Sequence, residues 1–185
     1  MQVAGIMDVS TGTLRISDPC YDMEAVEGKH AHIVSAKNGL WNWKAEVKKT
    51  PYGMRVMNLV VEHATYSGGY TERDHSLKAS VDSGQLAIVD GGAYPEIPGT
   101  YEDENSWYYR NSQKSMSLQL CGPIENMRDD LHSSGVVSAT GMGDGSYEVA
   151  CEFIRAYGSS TDEDPKNLVD KVWRVEVVYL DERDV

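Results

Sequence analysis

The sequence predicts an all-β protein with a minor helical part, either an antiparallel β-sandwich or a partly open barrel, built around an internal repeat. Three observations carry this. Apolar residues alternate with polar ones at period two over long stretches, Gly- and Pro-bearing breaks interrupt them at short intervals, and one ten-residue segment recurs at an offset of 72 residues. Period-two alternation rich in β-branched and aromatic residues is the mark of half-buried strands.

Taken along the chain, the first strand expected is 13–17. The next is 30–36, followed by 40–49, where Trp43, Ala45 and Val47 share one face and Asn42, Lys44 and Glu46 the other. Strands are also expected over 53–64, 85–90 and 135–140. The segment 146–154 places Tyr147, Val149, Cys151 and Phe153 on one face, and the final strand does the same with Trp173, Val175, Val177 and Tyr179. Asn38-Gly39 reads as a two-residue hairpin joining 30–36 to 40–49, and Asp144-Gly145 as another joining 135–141 to 146–154. Ser106 is a candidate N-cap for a short helix over 107–118, and 124–132 supplies another helical turn or two. The Gly- and Pro-rich stretch 91–106 reads as a long surface loop with Glu102-Asp103-Glu104 in it. A second acidic loop runs over 159–165 before the last strand. Cys121-Gly122-Pro123 reads as a turn.

The repeat aligns Val9-Ser10-Thr11-Gly12-Thr13-Leu14-Arg15-Ile16-Ser17-Asp18 with Val81-Asp82-Ser83-Gly84-Gln85-Leu86-Ala87-Ile88-Val89-Asp90 without gaps, and Val, Gly, Leu, Ile and Asp are identical. Each copy is a turn glycine, a short strand pointing Leu and Ile inward, and an aspartate just past its end. A tyrosine follows in each, Tyr21 and Tyr94, and Asp144 stands three residues before Tyr147. The chain of 185 residues is thus expected to form a single domain, 1–185, with repeat-like halves about 9–80 and 81–180.

Composition excludes several functions. Acidic residues outnumber basic ones 29 to 17, a net charge of −12, which opposes general affinity for nucleic-acid backbones and anionic membranes. With the acids interspersed among 17 basic residues, mimicry of DNA has only the overall charge behind it. No run approaches the ~20 apolar residues of a membrane-spanning helix, and no basic start followed by an apolar stretch marks a leader. Three well-separated cysteines, Cys20, Cys121 and Cys151, read as reduced thiols in a cytoplasm and not as a disulfide framework.

The segments Leu14-Arg15-Ile16-Ser17-Asp18-Pro19-Cys20-Tyr21, Arg55-Val56 leading to Val61-Glu62-His63, Val81-Asp82-Ser83-Gly84-Gln85, and Gly135-Val136-Val137-Ser138 through Gly143-Asp144-Gly145-Ser146-Tyr147 follow in that order. Together, over about 12–155, they resemble a family of small uncharacterised proteins of bacteria and their phages, grouped as a domain of unknown function. The stretch 91–132 departs from that pattern. The resemblance implies a bacterial or phage-infected cytoplasm and carries over no catalytic residue.

Two function classes follow from the residues. In the first, a non-enzymatic accessory or host-interaction factor presents acidic, Tyr-rich loops to a protein partner or small ligand, through Asp18, Tyr21, Asp90, Tyr94, Trp107, Tyr108, Arg110, Asp144 and Tyr147. Tyr, Trp and Arg are the side chains enriched where proteins grip partners. In the second, Asp18, Asp90 and Asp144 converge at one end of the barrel as a carboxylate-based hydrolase. A divalent cation is then the one candidate cofactor, held through oxygen ligands. Against this stands the ordinary role of an aspartate after a strand, which accepts hydrogen bonds from turn amides. His30 and His32 share a strand face, and with Cys20, His63 or His75 they make up the available zinc-ligand set. Cys20 has acidic neighbours, Asp18 and Asp22, that oppose a thiolate nucleophile. No nucleophile elbow and no phosphate-binding loop occurs.

Overall fold

The computed structural model describes residues 1–22, 31–66, 72–125, 132–157 and 168–180. Eleven strands and one helix are found among them: β1 Gln2–Val9, β2 Thr13–Ser17, β3 His32–Ser35, β4 Gly39–Thr50, β5 Gly53–His63, β6 Glu72–Val81, β7 Gln85–Asp90, α1 Trp107–Ser115, β8 Cys121–Ile124, β9 Gly135–Ala139, β10 Gly145–Tyr157 and β11 Leu168–Val178. They make two antiparallel sheets that face each other without closing into a barrel. One is six-stranded, in the order β1-β4-β5-β11-β10-β6; the other is five-stranded, in the order β3-β2-β7-β9-β8. The expected all-β architecture is therefore a sandwich. Among the described residues no helix is long and apolar enough to cross a membrane.

The core lies between the sheets and is filled by the inward half of each alternation. Trp41, Trp43, Ala45 and Val47 of β4 meet Leu14 and Ile16 of β2, Leu86 and Ile88 of β7, and Val149, Cys151, Val175 and Val177 from β10 and β11. The five-stranded sheet is buried on its other face too. There α1 and the loop ahead of it lay Tyr94 and Trp107 over Ala87, Val89, Ile124 and Val137, so every residue of β7 is buried. The outer face of the six-stranded sheet is solvated and charged. At its centre Arg174 lies 2.8 Å from Glu152, 3.1 Å from Glu176 and 3.7 Å from Glu62.

The strand orders read the same from either end once α1 and β8 are set aside. β1 corresponds to β6, β2 to β7, β3 to β9, β4 to β10 and β5 to β11, a pseudo-two-fold relation whose axis passes between β2 and β7 and between β5 and β11. The registers obey it. Val61 pairs with Val175 as Leu59 pairs with Val177, and Met57 of β5 is the extra residue of a bulge opposite Glu46 and Val47, as Trp173 of β11 is opposite Glu152 and Phe153. Trp41 packs edge-on against His63 at 5.7 Å, and the corresponding Tyr147 against Tyr179 at 5.3 Å. Each half of this pairing begins one strand earlier than the 9–80 and 81–180 division, at β1 and at β6.

Several sequence expectations are corrected. The two dipeptides read as hairpins are crossovers between sheets: β3 pairs with β2 while β4 pairs with β1 and β5, and β9 pairs with β7 and β8 while β10 pairs with β11 and β6. They occupy corresponding places in the two halves, with Gly39 at φ 120° and Gly145 at φ 155°. The tight hairpin is instead at Pro51-Tyr52, between β4 and β5. Strands β1, β6 and β8 were not expected, because Ala4-Gly5, the charged Glu72-Arg73-Asp74 and Gly122-Pro123 are poor strand formers. Pro123 is tolerated because β8 is an edge strand. The helix capped by Ser106, whose hydroxyl accepts from the Tyr109 amide, ends at Ser115, short of 118. Ile124 ends a strand where a helix was expected to start; the rest of that segment, 126–131, and the acidic loop 159–165 lie outside the described residues.

Candidate functional site

The two repeat aspartates serve the fold reciprocally. Asp18 accepts from the amides of Asp82 and Ser83 at 2.8 and 2.7 Å, from the Ser83 hydroxyl at 2.7 Å and from the Cys20 amide at 2.8 Å. Asp90 accepts from the Ser10 hydroxyl at 3.0 Å, the Thr11 amide at 3.1 Å and the Thr11 hydroxyl. Each carboxylate thus secures the turn that opens the other copy. Those turns need Gly12 and Gly84 at φ 73° and 69°, a conformation that costs glycine little. Both aspartates are buried.

Because β2 and β7 run antiparallel, with Leu14 opposite Asp90 and Ser17 opposite Ala87, Asp18 and Asp90 lie at opposite ends of the pair, about 13 Å apart along the strands. Asp144 is exposed beside the Gly84 turn, at the Asp18 end. The expected convergence of three carboxylates does not occur. Among the described residues no group of three or more His, Cys, Asp and Glu is arranged to hold a metal.

The aromatic candidates are largely inside. Tyr94, Trp107, Tyr108 and Tyr147 are each less than a tenth exposed. The ring of Tyr94 lies 4.8 Å from that of Trp107 and 3.8 Å from the guanidinium carbon of Arg15. The Tyr94 hydroxyl donates to the Tyr21 carbonyl at 2.6 Å, closing the 18–21 turn. Arg15, itself buried, donates to the Ser17 hydroxyl at 3.0 Å and to the carbonyls of Tyr21 and Asp22 at 3.2 and 3.1 Å. Burial lowers the pKa of Arg15, opposed by its attraction to Tyr94, and burial raises that of Tyr94. Tyr21 is half-buried and donates to Asp82 at 2.8 Å. The Tyr147 hydroxyl donates to the Gly143 carbonyl at 2.7 Å. Arg110 is exposed on α1. Tyr101, 45% exposed, leans on Tyr109 at 5.5 Å and Tyr108 at 6.4 Å.

The nucleophile and zinc candidates fare alike. Burial, then Asp18 and Asp82, push the Cys20 thiol far above its ordinary range, so it carries no thiolate near neutrality. Burial raises Cys121 to about 11. The His63 ring nitrogens face the Asn38 carbonyl and the Thr65 hydroxyl, and His32 faces the Lys78 carbonyl, all main-chain or hydroxyl partners. His30 and the side chain of His75 lie outside the described residues.

One of the open depressions among the described residues is a groove of about 420 Å³ at the end of the sandwich. Its floor is Val56, Leu120, Ala139 and Leu180; its rim is Tyr52, Met54, Arg55 and the glycine-flanked Met142. Tyr52 is 73% and Met142 68% exposed, large apolar side chains held in water. Among the described lining residues Arg55 is the only charged one and none is acidic, on a chain with 29 acids. The groove also lies where the two halves differ. Leu120 comes from the segment found only in the second half. The crossover from Thr140 to Gly145 is two residues longer than its counterpart from Ala36 to Gly39. At that counterpart Lys37 donates its amide to the Val172 carbonyl at 3.0 Å and reaches over Tyr66, which packs on Trp173 at 4.9 Å. Sequence reasoning missed this site; the available signal was a bulky apolar residue in each of two turns, Tyr52 after Pro51 and Met142 between glycines.

No family model, curated protein or solved structure matches the chain.

Proposed function

We propose that the protein is a non-enzymatic binding protein that docks a segment of a partner polypeptide in the groove beneath Tyr52 and Met142. The observation that carries this is the groove's apolar rim, held in water around a floor without acidic groups. Such a surface gains by being covered, and flexible methionine side chains adapt to the contour of a partner. The occupant that fits is a short extended segment offering a large apolar side chain to the floor and a carboxylate to Arg55. The binding surface moves from the Tyr-rich loops to this groove, because Tyr94, Trp107, Tyr108 and Tyr147 are consumed in packing. An accessory or host-interaction role in a bacterium or phage is the setting we attach to it, on the sequence resemblance.

Panning a display library of random peptides against the purified protein tests the reading. Enriched peptides should share an apolar residue next to Asp or Glu, and both Tyr52→Ala and Met142→Ser should lose their binding at an unchanged melting temperature. Enrichment that survives both substitutions would overturn it. So would turnover of phosphoester, glycoside or peptide substrates that Asp18→Ala removes.

A further inference from the structure

The six-stranded sheet ends in two edges that the pseudo-two-fold relation makes equivalent, yet their sequences are opposite in kind. β6 carries Glu72, Arg73, Asp74 and Lys78, and His32 lies 2.8 Å from the Lys78 carbonyl. Charges along an edge are the usual protection against unwanted pairing. β1 reads Gln-Val-Ala-Gly-Ile-Met before its first charge, Asp8, so its leading stretch has no such protection.

The hydrogen-bond phase fixes which groups are open. Met1 and Val47 exchange both main-chain bonds, at 2.6 and 2.8 Å, which directs the odd residues of β1 to β4 and the even ones outward. The outward Asp8 amide donates to the Ser133 carbonyl at 2.8 Å, and the Ile6 carbonyl accepts from the Ser133 hydroxyl at 2.6 Å, so Ser133 closes that end of the edge. Among the described residues no strand covers the remainder, Gln2 to Ile6.

We infer that β1 is a homotypic docking edge, pairing antiparallel with β1 of a second copy of this chain about a two-fold axis at Ala4. In that register Ala4 exchanges both bonds with Ala4 of the partner subunit and Gln2 pairs with the partner's Ile6, so the stretch from Gln2 to Ile6 is self-complementary. Small residues sit at the axis, and Gly5 leaves room for the Trp43 ring, of which a Cβ would come within 2.5 Å. Ile6, 49% exposed, is covered by the partner strand. The two bodies, each of net charge −12, meet through a neutral stretch. Added salt, by screening their repulsion, strengthens the pairing.

Sedimentation equilibrium, from low micromolar to a few hundred micromolar chain and without an N-terminal extension, tests this. Wild type should approach twice the 20.5 kDa chain mass, more readily at higher salt. Ala4→Pro removes an outward amide without touching the β1–β4 bonds, and Ala4→Lys sets like charges together at the axis. Each should weaken dimerisation at least about tenfold while the far-ultraviolet spectrum stays unchanged. If Ala4→Pro unfolds the chain, Ala4→Lys decides alone. A wild-type monomer throughout the range, or a dimer that persists in a folded variant, would overturn the inference.

Discussion

Asp18 and Asp90 perform one task twice, each holding closed the turn that precedes the other's strand, so the two halves of the sandwich are locked by a reciprocal pair of carboxylates. Asp18→Ala strands three amides and a hydroxyl, and losses of this kind run at about 1–3 kcal/mol per unsatisfied group. The expected cost is roughly 2–4 kcal/mol for Asp18→Ala and slightly less for Asp90→Ala, read from urea unfolding. The sites lie far enough apart for the double variant to be additive to within about 0.5 kcal/mol. A cost below that for either single variant would show that the turns close unaided.

Alkali should loosen the protein by ionising a buried thiol. Cys121 rises from 9.0 to about 11 through burial, so the native state favours its neutral form. The sign is that of a raised pKa. The contribution is complete below pH 9 and is lost as the pH climbs to about 11. Burial also raises Tyr94 and Tyr179, which extends the loss beyond that window. The melting temperature should fall steadily above pH 9, and Cys121→Ala should flatten the first part of the fall. An identical pH dependence in the variant would remove Cys121 from this account.

Val149 and Val175 are fully buried between the sheets. Val149→Asp or Val175→Asp puts a carboxylate among the apolar side chains of the core, and the chain should show no cooperative thermal transition. Retention of the wild-type transition would mean that these side chains face outward.

Gly141 marks the floor of the groove. A methyl there would stand 2.5 Å from Leu180 Cγ and 2.9 Å from the Val56 carbonyl, and main chain does not yield easily. Gly141→Ala should cost about 1–3 kcal/mol. Met142→Ser, one residue along at the rim, should change stability by less than about 0.5 kcal/mol. Comparing their melting curves separates the part of the crossover that builds the sandwich from the part left to a ligand.

Much of the fold was legible because burial imposes period two on a strand. The alternation of Trp43, Ala45 and Val47, and of Val175, Val177 and Tyr179, is enough to orient each strand's face. Trp173, expected on the same face, sits at a bulge where the register steps from Val172 to Arg174, an offset that period-two reading has no means to detect. The turn dipeptides misled for a related reason. Asn38-Gly39 and Asp144-Gly145 specify a bend but not a partner, and the same bend that makes a hairpin sends this chain from one sheet to the other.

The sequence by itself determined eight of the eleven strands, most of their inward faces, the start of the capped helix and the recurrence of Leu-x-Ile-x-Asp, because all of these follow from nearest neighbours and from which side chains water rejects. Only the tertiary structure decided where the repeated aspartates point, which aromatics are hidden, and that an apolar groove stays open under Tyr52 and Met142. Those outcomes depend on antiparallel register and on contacts between residues tens of positions apart, and a local pattern carries no record of either.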